Sequence, residues 1–293
     1  MQLPAFYPYR SEAARDACFA YFDAQAAVRW PIASEERTVA TSYGPTCVRI
    51  GGPESAPPLV LLHGVTASSL MWAPNIRELS TACRTFAVDQ IGDFGKTLCT
   101  RPIVSVYDYV AWLDELFDRL ELGDVTLAGM SFGGALATQY ALHRPERVTK
   151  LILLAPGSTV LRMALRFWLH VGALAFLRRK GIPWFLRWIF PDMARQDPAW
   201  IGEISEGLFL NVRSLRPRKT PFPPVLTDDE WGSLKMPVLF LVGEHEVIYS
   251  PERAVRRLRR VAPAIAAEIV PGAGHDLTFA QAALVNRRIL EFL

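Results

Sequence analysis

Val125-Thr126-Leu127-Ala128 is an apolar run of strand character, and Gly129-Met130-Ser131-Phe132-Gly133 follows it at once. The pattern G-x-S-x-G is weak as five letters. It gains meaning between a strand and the helical stretch that begins at Gly133-Gly134-Ala135-Leu136-Ala137. A sharp strand-to-helix turn forces its central residue into a strained backbone, and flanking glycines leave room for the chain to fold back. The serine hydroxyl then stands at the carboxyl edge of a sheet, beside helix N–H groups that have no intrahelical partner. Ser131 is therefore the candidate nucleophile.

Outward from this turn the chain alternates between strands and helices. Leu59-Val60-Leu61-Leu62 and residues 84–89 read as strands buried on both faces. Short strands are expected at 37–41 and 45–50, and an N-terminal helix at about 12–28 should pack on the main body. Residues 105–121 form an amphipathic helix with Ser105 as N-cap. Strands at 125–130, 151–154, 238–242 and 266–270 follow, with helices at 133–143, 251–261 and 280–293. This is an α/β order, which implies a mostly parallel sheet covered by helices on both faces.

Residues 157–233 break the alternation. They hold two helical, aromatic-rich stretches, 158–178 and 183–195, and then a proline-rich passage from Pro217 to Pro224. The domain reading is thus a core of residues 1–156 and 234–293 with a helical lid, 157–233, over the carboxyl edge, where open α/β sheets bind ligands. The lid mixes aromatics with basic residues, as interfacial helices do. The expectation is that these aromatics line a pocket and pack on the body, with no membrane contact.

The 293 residues are 51% hydrophobic, enough for a large core, and carry a formal net charge of +3. So small a charge gives no reason to expect a nucleic-acid partner. The arginines clustered in 178–180 and 253–260 read as solvated helix faces. Cys18, Cys47, Cys83 and Cys99 match no zinc or redox spacing, and reduced thiols are expected. The first eight residues lack the basic-then-apolar order of a signal peptide, so a cytoplasmic location is expected. No metal or organic cofactor is indicated, and the sequence carries no signature of oligomeric state.

A serine nucleophile needs a base, and the base needs an orienting acid. His275, in the loop Pro271-Gly272-Ala273-Gly274-His275-Asp276, is the natural base. His63 is expected to brace its loop, His143 to be exposed and His170 to be packed in the lid. Asp276 adjoins the base and is a poor orienter, because neighbouring side chains diverge. The loop Ala155-Pro156-Gly157-Ser158 offers no carboxylate. The loop Gly243-Glu244-His245-Glu246-Val247-Ile248 offers two. Glu246, deeper in that loop and ahead of an apolar pair, is assigned as the acid, with Glu244 as its competitor. An oxyanion needs two N–H donors. Phe132, directly after the nucleophile, supplies one. Val65, in the loop His63-Gly64-Val65-Thr66 after the strand 59–62, is the candidate for the other.

His63-Gly64, the Ser131 turn, Gly243 to Glu246 and Gly272 to His275, taken together, resemble the α/β-hydrolase superfamily along the whole chain. The segments Met71 to Ile76, Ala87 to Asp93, Phe222 to Glu230 and Gly243 to Tyr249 are similar to the Bacillus carboxylesterases of the naproxen esterase type. That resemblance implies the α/β-hydrolase fold and a glutamate acid at Glu246, where most of the superfamily carries aspartate. It also implies hydrolysis of carboxylic esters, aryl-propionates among them. A cofactor-independent serine carboxylesterase with a small-molecule ester substrate is the expectation. Lactonase, amidase, acyltransferase and carbon–carbon hydrolase chemistry share the triad, and a non-catalytic small-molecule binder is a further alternative.

Overall fold

The computed structural model describes residues 7–216 and 220–293. Most of the signal-peptide reading on the first eight residues, and residues 217–219 of the proline-rich passage, lie outside it. So does the side chain of Arg178. Among the described residues, eight strands form one sheet: β1 (Glu35–Thr41), β2 (Gly44–Gly51), β3 (Pro58–Leu62), β4 (Arg84–Val88), β5 (Val125–Met130), β6 (Val148–Leu154), β7 (Val238–Gly243) and β8 (Ala266–Val270). Their order across the sheet is β1-β2-β4-β3-β5-β6-β7-β8. β2 runs antiparallel to β1 and β4, and every other pairing is parallel.

The uninterrupted apolar strands follow from burial on both faces. Val60, Leu62, Leu127, Leu151, Leu153, Phe240 and Val242 point into one hydrophobic layer. Leu59, Leu61, Ala128, Ile152, Leu154, Leu239 and Leu241 point into the other. This is the period of two that a strand imposes. The first layer is closed by α3 (Val106–Arg119), α4 (Phe132–His143) and α10 (Pro251–Val261) through residues such as Trp112, Leu116, Tyr140 and Leu258. The second is closed by α2 (Ala73–Leu79) and α12 (Ala282–Phe292) through Ile76, Leu79, Val285 and Ile289. Caps fix the helix starts. Ser105 and Asp108 form a reciprocal capping box on α3, and the Ser250 side chain accepts from the Arg253 N–H on α10. The C-terminal helix expected over 280–293 is α12, and an unanticipated single turn, α11 (Leu277–Ala280), precedes it, with Gln281 between them. The four cysteines are buried thiols.

Between β6 and β7 the chain is helical: α5 (Leu165–Leu177), α6 (Gly181–Ile189), α7 (Pro191–Gln196), α8 (Pro198–Ser214) and α9 (Asp228–Ser233). Residues 158–164, expected to be helical, are not. Ser158 sits at φ 54°, and backbone bonds to Thr159 from Leu226 (2.9 Å) and from Ala164 to Ile248 (2.7 Å) hold the segment as a strap. Pro191 ends the run expected to continue from 183 to 195. α8 was not anticipated, although its start carries the usual signal: Asp197 accepts from the Trp200 N–H, and Pro198 stands at the first helical position. α1 (Glu12–Arg29) packs on the main body as expected, with Asp23 paired to Lys96 (2.7 Å) and Cys18 and Phe19 clustered with Leu98. It also lies on α8, through Tyr21 Oη to the Glu203 carbonyl (2.8 Å) and Arg29 to Asp197 and Glu203 (both 2.9 Å).

Two features bring the functional loops together at the carboxyl edge. The first is close backbone approach beneath Ser131. A Cβ at Gly133 would land on the carbonyl oxygens of Leu62 and His63. The second is His63, fully buried at the end of β3. Its Nε2 accepts the Gln90 N–H (2.9 Å), so Nδ1 carries the proton and donates to the Gly64 carbonyl (2.7 Å). Gln90 also donates its side-chain amide back to the His63 carbonyl. Burial lowers the pKa of this imidazole, against the pull of Asp89, so it is held neutral.

Gly133→Ala should therefore cost about 1–3 kcal/mol, because backbone rather than a movable side chain must give way. An unchanged melting temperature would contradict this packing. For His63 the folded pKa lies below the unfolded value of about 6.5, so the unfolded chain binds the extra proton first. The stability of the neutral ring is complete above that pH and is lost progressively below it. His63→Gln should flatten the fall in melting temperature below about pH 6.5. A slope identical to that of the wild-type protein would show that His63 is not its source.

Candidate active site

Ser131 occupies the turn between β5 and α4 with φ 52° and ψ −116°, a conformation an L-residue adopts only under constraint. Two backbone bonds supply that constraint. The Ser131 N–H donates to the Leu154 carbonyl (2.9 Å), and the Gly157 N–H donates to the Ser131 carbonyl (2.9 Å). The hydroxyl stands 3.0 Å from His275 Nε2. His275 Nδ1 lies 2.8 Å from Glu246 Oε2. The other carboxylate oxygen, Oε1, accepts the Ile248 N–H at 2.8 Å, which locks the plane of the acid. All three side chains are buried, Ser131 remaining 8% exposed.

Glu244 goes elsewhere. Its Oε2 accepts the Gly272 N–H (2.9 Å), tying the acid loop to the base loop without touching His275. Tyr249 lies under the acid. Burial, and secondarily the charge of Glu246, push its phenol well above the usual tyrosine range, so it stays neutral. Arg166 on α5 reinforces the same loop, donating to the carbonyls of Val247 (2.9 Å) and Glu246 (3.1 Å).

The two expected oxyanion donors lie on segments that adjoin Ser131. Phe132 opens α4, and its N–H belongs to the free first turn of that helix. Val65 follows Gly64, whose Cβ position would lie 3.4 Å from Ser131 Cβ, so this loop runs alongside the serine. The loop is held from outside the site. Thr66, at φ 60°, donates its N–H to the Asp93 carboxylate (2.9 and 3.0 Å), and the Gly64 N–H points to Met71 Sδ (3.1 Å). Ser68 caps the following turn, and the Ser69 N–H donates to Asp89 Oδ1 (2.7 Å).

Asp276 does not orient the base, as expected, but it has a task the sequence did not disclose. Its Oδ2 accepts the N–H groups of Asp192 (3.0 Å) and Met193 (2.8 Å) at the start of α7. Burial raises its pKa, and the Met193 N–H bond opposes the rise. Phe190, at the α6–α7 junction, lies parallel to the His275 ring with centroids 6.2 Å apart. Base and insertion thus meet through two consecutive residues. Gln90, Asp93, Arg166 and Asp276 escaped the sequence reading because their roles depend on contacts between distant segments. The other histidines stand apart. His170 stacks on Trp188 (3.7 Å) and Trp184 (4.9 Å). His143, expected to be exposed, is half-buried, bonded to the Gln139 carbonyl (2.8 Å) and edge-on to Tyr107.

Comparison with known proteins identifies relatives of the chain. Residues 59–288 match the model of the Alpha/beta hydrolase family. A Bacillus subtilis protein named uncharacterized carboxylesterase nap is 38% identical over 265 residues, 90% of this chain and 88% of its own length. Carboxylesterase YbfK of the same organism is 38% identical over 266 residues, covering 90% and 89%. The crystal structure of the Bacillus subtilis naproxen esterase superposes with a TM-score of 0.86 at 36% identity, over 93% of this chain and 95% of that one. Fold, site geometry and relatives agree that the chain belongs to the alpha/beta hydrolase family.

Proposed function

We propose that the protein is a serine carboxylesterase in which Ser131, His275 and Glu246 form the catalytic triad. The observation that carries the reading is the unbroken relay from Ser131 Oγ to His275 Nε2 (3.0 Å) and from Nδ1 to Glu246 (2.8 Å), out of bulk water. Its two named Bacillus relatives, each 38% identical, are carboxylesterases by name.

Each step uses a group already in place. His275 Nε2 accepts the hydroxyl proton as Ser131 Oγ bonds to the ester carbonyl carbon. The carbonyl oxygen becomes an oxyanion, held by the N–H groups of Phe132 and Val65. As the tetrahedral species collapses, the imidazolium returns its proton to the departing alkoxide, leaving an acyl-serine. Water then repeats the sequence, with the same histidine as base, and releases the acid. Glu246 keeps the imidazole in the tautomer that accepts at Nε2 and stabilises the cation that forms. No cofactor enters these steps.

We read residues 157–233 as the cap of this site and a hydrophobic, small to medium ester as the substrate, aryl-propionates included. Phe222, in the stretch before α9, packs against Phe132 with ring centroids 4.8 Å apart, beside a proposed oxyanion donor. An aromatic wall there suits a flat acyl group. The resemblance to the naproxen esterase points the same way.

Hydrolysis of p-nitrophenyl esters of graded acyl length tests the reading. Ser131→Ala should remove nearly all turnover, and unchanged hydrolysis by that variant would sink it. Glu246→Gln should lower kcat by about 10³-fold or more, since the amide places a donor where the ring N–H needs an acceptor. Glu244→Gln should stay within a few-fold of the wild-type protein. The reverse ranking of the two glutamates would transfer the acid role to Glu244.

A further inference from the structure

The insertion carries more aromatic and apolar surface than its own packing uses. Phe167, Phe185 and Trp188 form its inward cluster, with centroid separations of 5.8–6.5 Å. A second set points out. On α5, Leu165, Trp168, Leu169 and Phe176 are 74%, 55%, 64% and 86% exposed. Their three- and four-residue spacing places them on one stripe of the helix, with exposed Gly172 between. Trp184 of α6 is also exposed, its ring stacked on His170 beside that stripe. The sequence reading put the lid aromatics against the body or the pocket. For these residues the structure does otherwise.

Charge identifies what would cover the stripe. No acidic residue occurs between Glu146 and Asp192, whereas residues 157–190 hold six basic ones. Of these, Arg162, Lys180 and Arg187 are exposed, as is Arg179, which pairs with Glu206 at 3.0 Å. The whole chain carries only +3, so the positive charge is concentrated on this segment. Exposed apolar and indole side chains on a segment this rich in exposed arginine and lysine match an anionic bilayer surface, where acyl chains receive the first and headgroup phosphates the second. A second copy of the chain is a poor partner. An isologous contact would set the same cations against each other.

We propose that the outer stripe of α5, with Trp184, docks the protein on an anionic lipid surface. The contact is peripheral: no helix among the described residues is long and apolar enough to cross a membrane. It rests on surface chemistry and not on the triad.

Co-sedimentation of the full chain with vesicles tests it. Phosphatidylcholine vesicles containing phosphatidylglycerol should pellet the wild-type protein, pure phosphatidylcholine should pellet far less, and raised salt should weaken binding. The pair Trp168→Glu and Phe176→Glu should cut partitioning by about tenfold or more, while hydrolysis of a soluble p-nitrophenyl ester stays at the wild-type rate. A second pair, Lys180→Glu and Arg187→Glu, should weaken binding without touching the apolar stripe. Absence of pelleting with anionic vesicles overturns the proposal, as does binding that survives both pairs. A dimer in sedimentation velocity that the first pair dissolves, without vesicle binding, assigns the stripe to a second copy. Vesicle binding by a protein inactive on every ester would refute the esterase reading and leave this one standing.

Discussion

The backbone of Ser131 is the constraint on which the rest depends. An L-residue at φ 52° is uphill, and it stays there because its N–H and C=O are both committed to the turn after β6. That commitment requires β3, β5 and β6 to stand in one parallel register. It also requires α4 to start so close to β3 that only glycine fits at position 133. The parallel sheet, the glycine spacing and the buried helix α4 are one arrangement seen from three sides. Its product is a hydroxyl fixed in direction before any ligand arrives.

Around that hydroxyl nearly every loop is tied by polar bonds, buried at His63 and Ile248 and exposed at Thr66 and Gly272. Neutral His63 joins the ends of β3 and β4, Asp93 holds the Thr66 turn, Glu244 joins the acid loop to the base loop, and Ile248 sets the plane of Glu246. In a low-dielectric setting the buried bonds of His63 and Glu246 are stiff, and a lost partner leaves its mate stranded. Positioning of this kind spares the site from reorganising as charge develops. The sheet supplies the rigid base, and the polar ties carry that rigidity out to loops that would otherwise move.

Much of this was legible in the chain, for identifiable reasons. Strands buried on both faces are unbroken apolar runs, so β3 and β5 to β7 announced themselves. Ser131 and the two-glutamate loop each sit at the end of such a run, and His275 follows the shorter edge strand β8, so their convergence at one sheet edge followed from topology. The two glutamates differ by two positions, and their opposite destinations depend on whether each side chain meets His275 or the Gly272 amide. The insertion was read least well. α8 is only partly buried and lacks a continuous apolar face, and α1 is docked by ion pairs to Asp197 and Glu203 that no local pattern encodes. Asp276 was correctly denied the orienting role, yet its actual task depends on α7 arriving from more than eighty residues away.

That last contact has a mechanical consequence. His275 and Asp276 are consecutive, and Asp276 grips the first turn of α7 while Phe190 faces the imidazole. The insertion is pinned to the base at this corner. At the other side, Arg166 clips α5 to the acid loop by bonds at an exposed position, where water can replace them. On the proposed reading of this insertion as a cap, its buried attachment is at α7 and its exposed one at α5. On that reading an ester meets the more readily released contacts on the α5 side, while the corner beside His275 stays tied to α7 by Asp276.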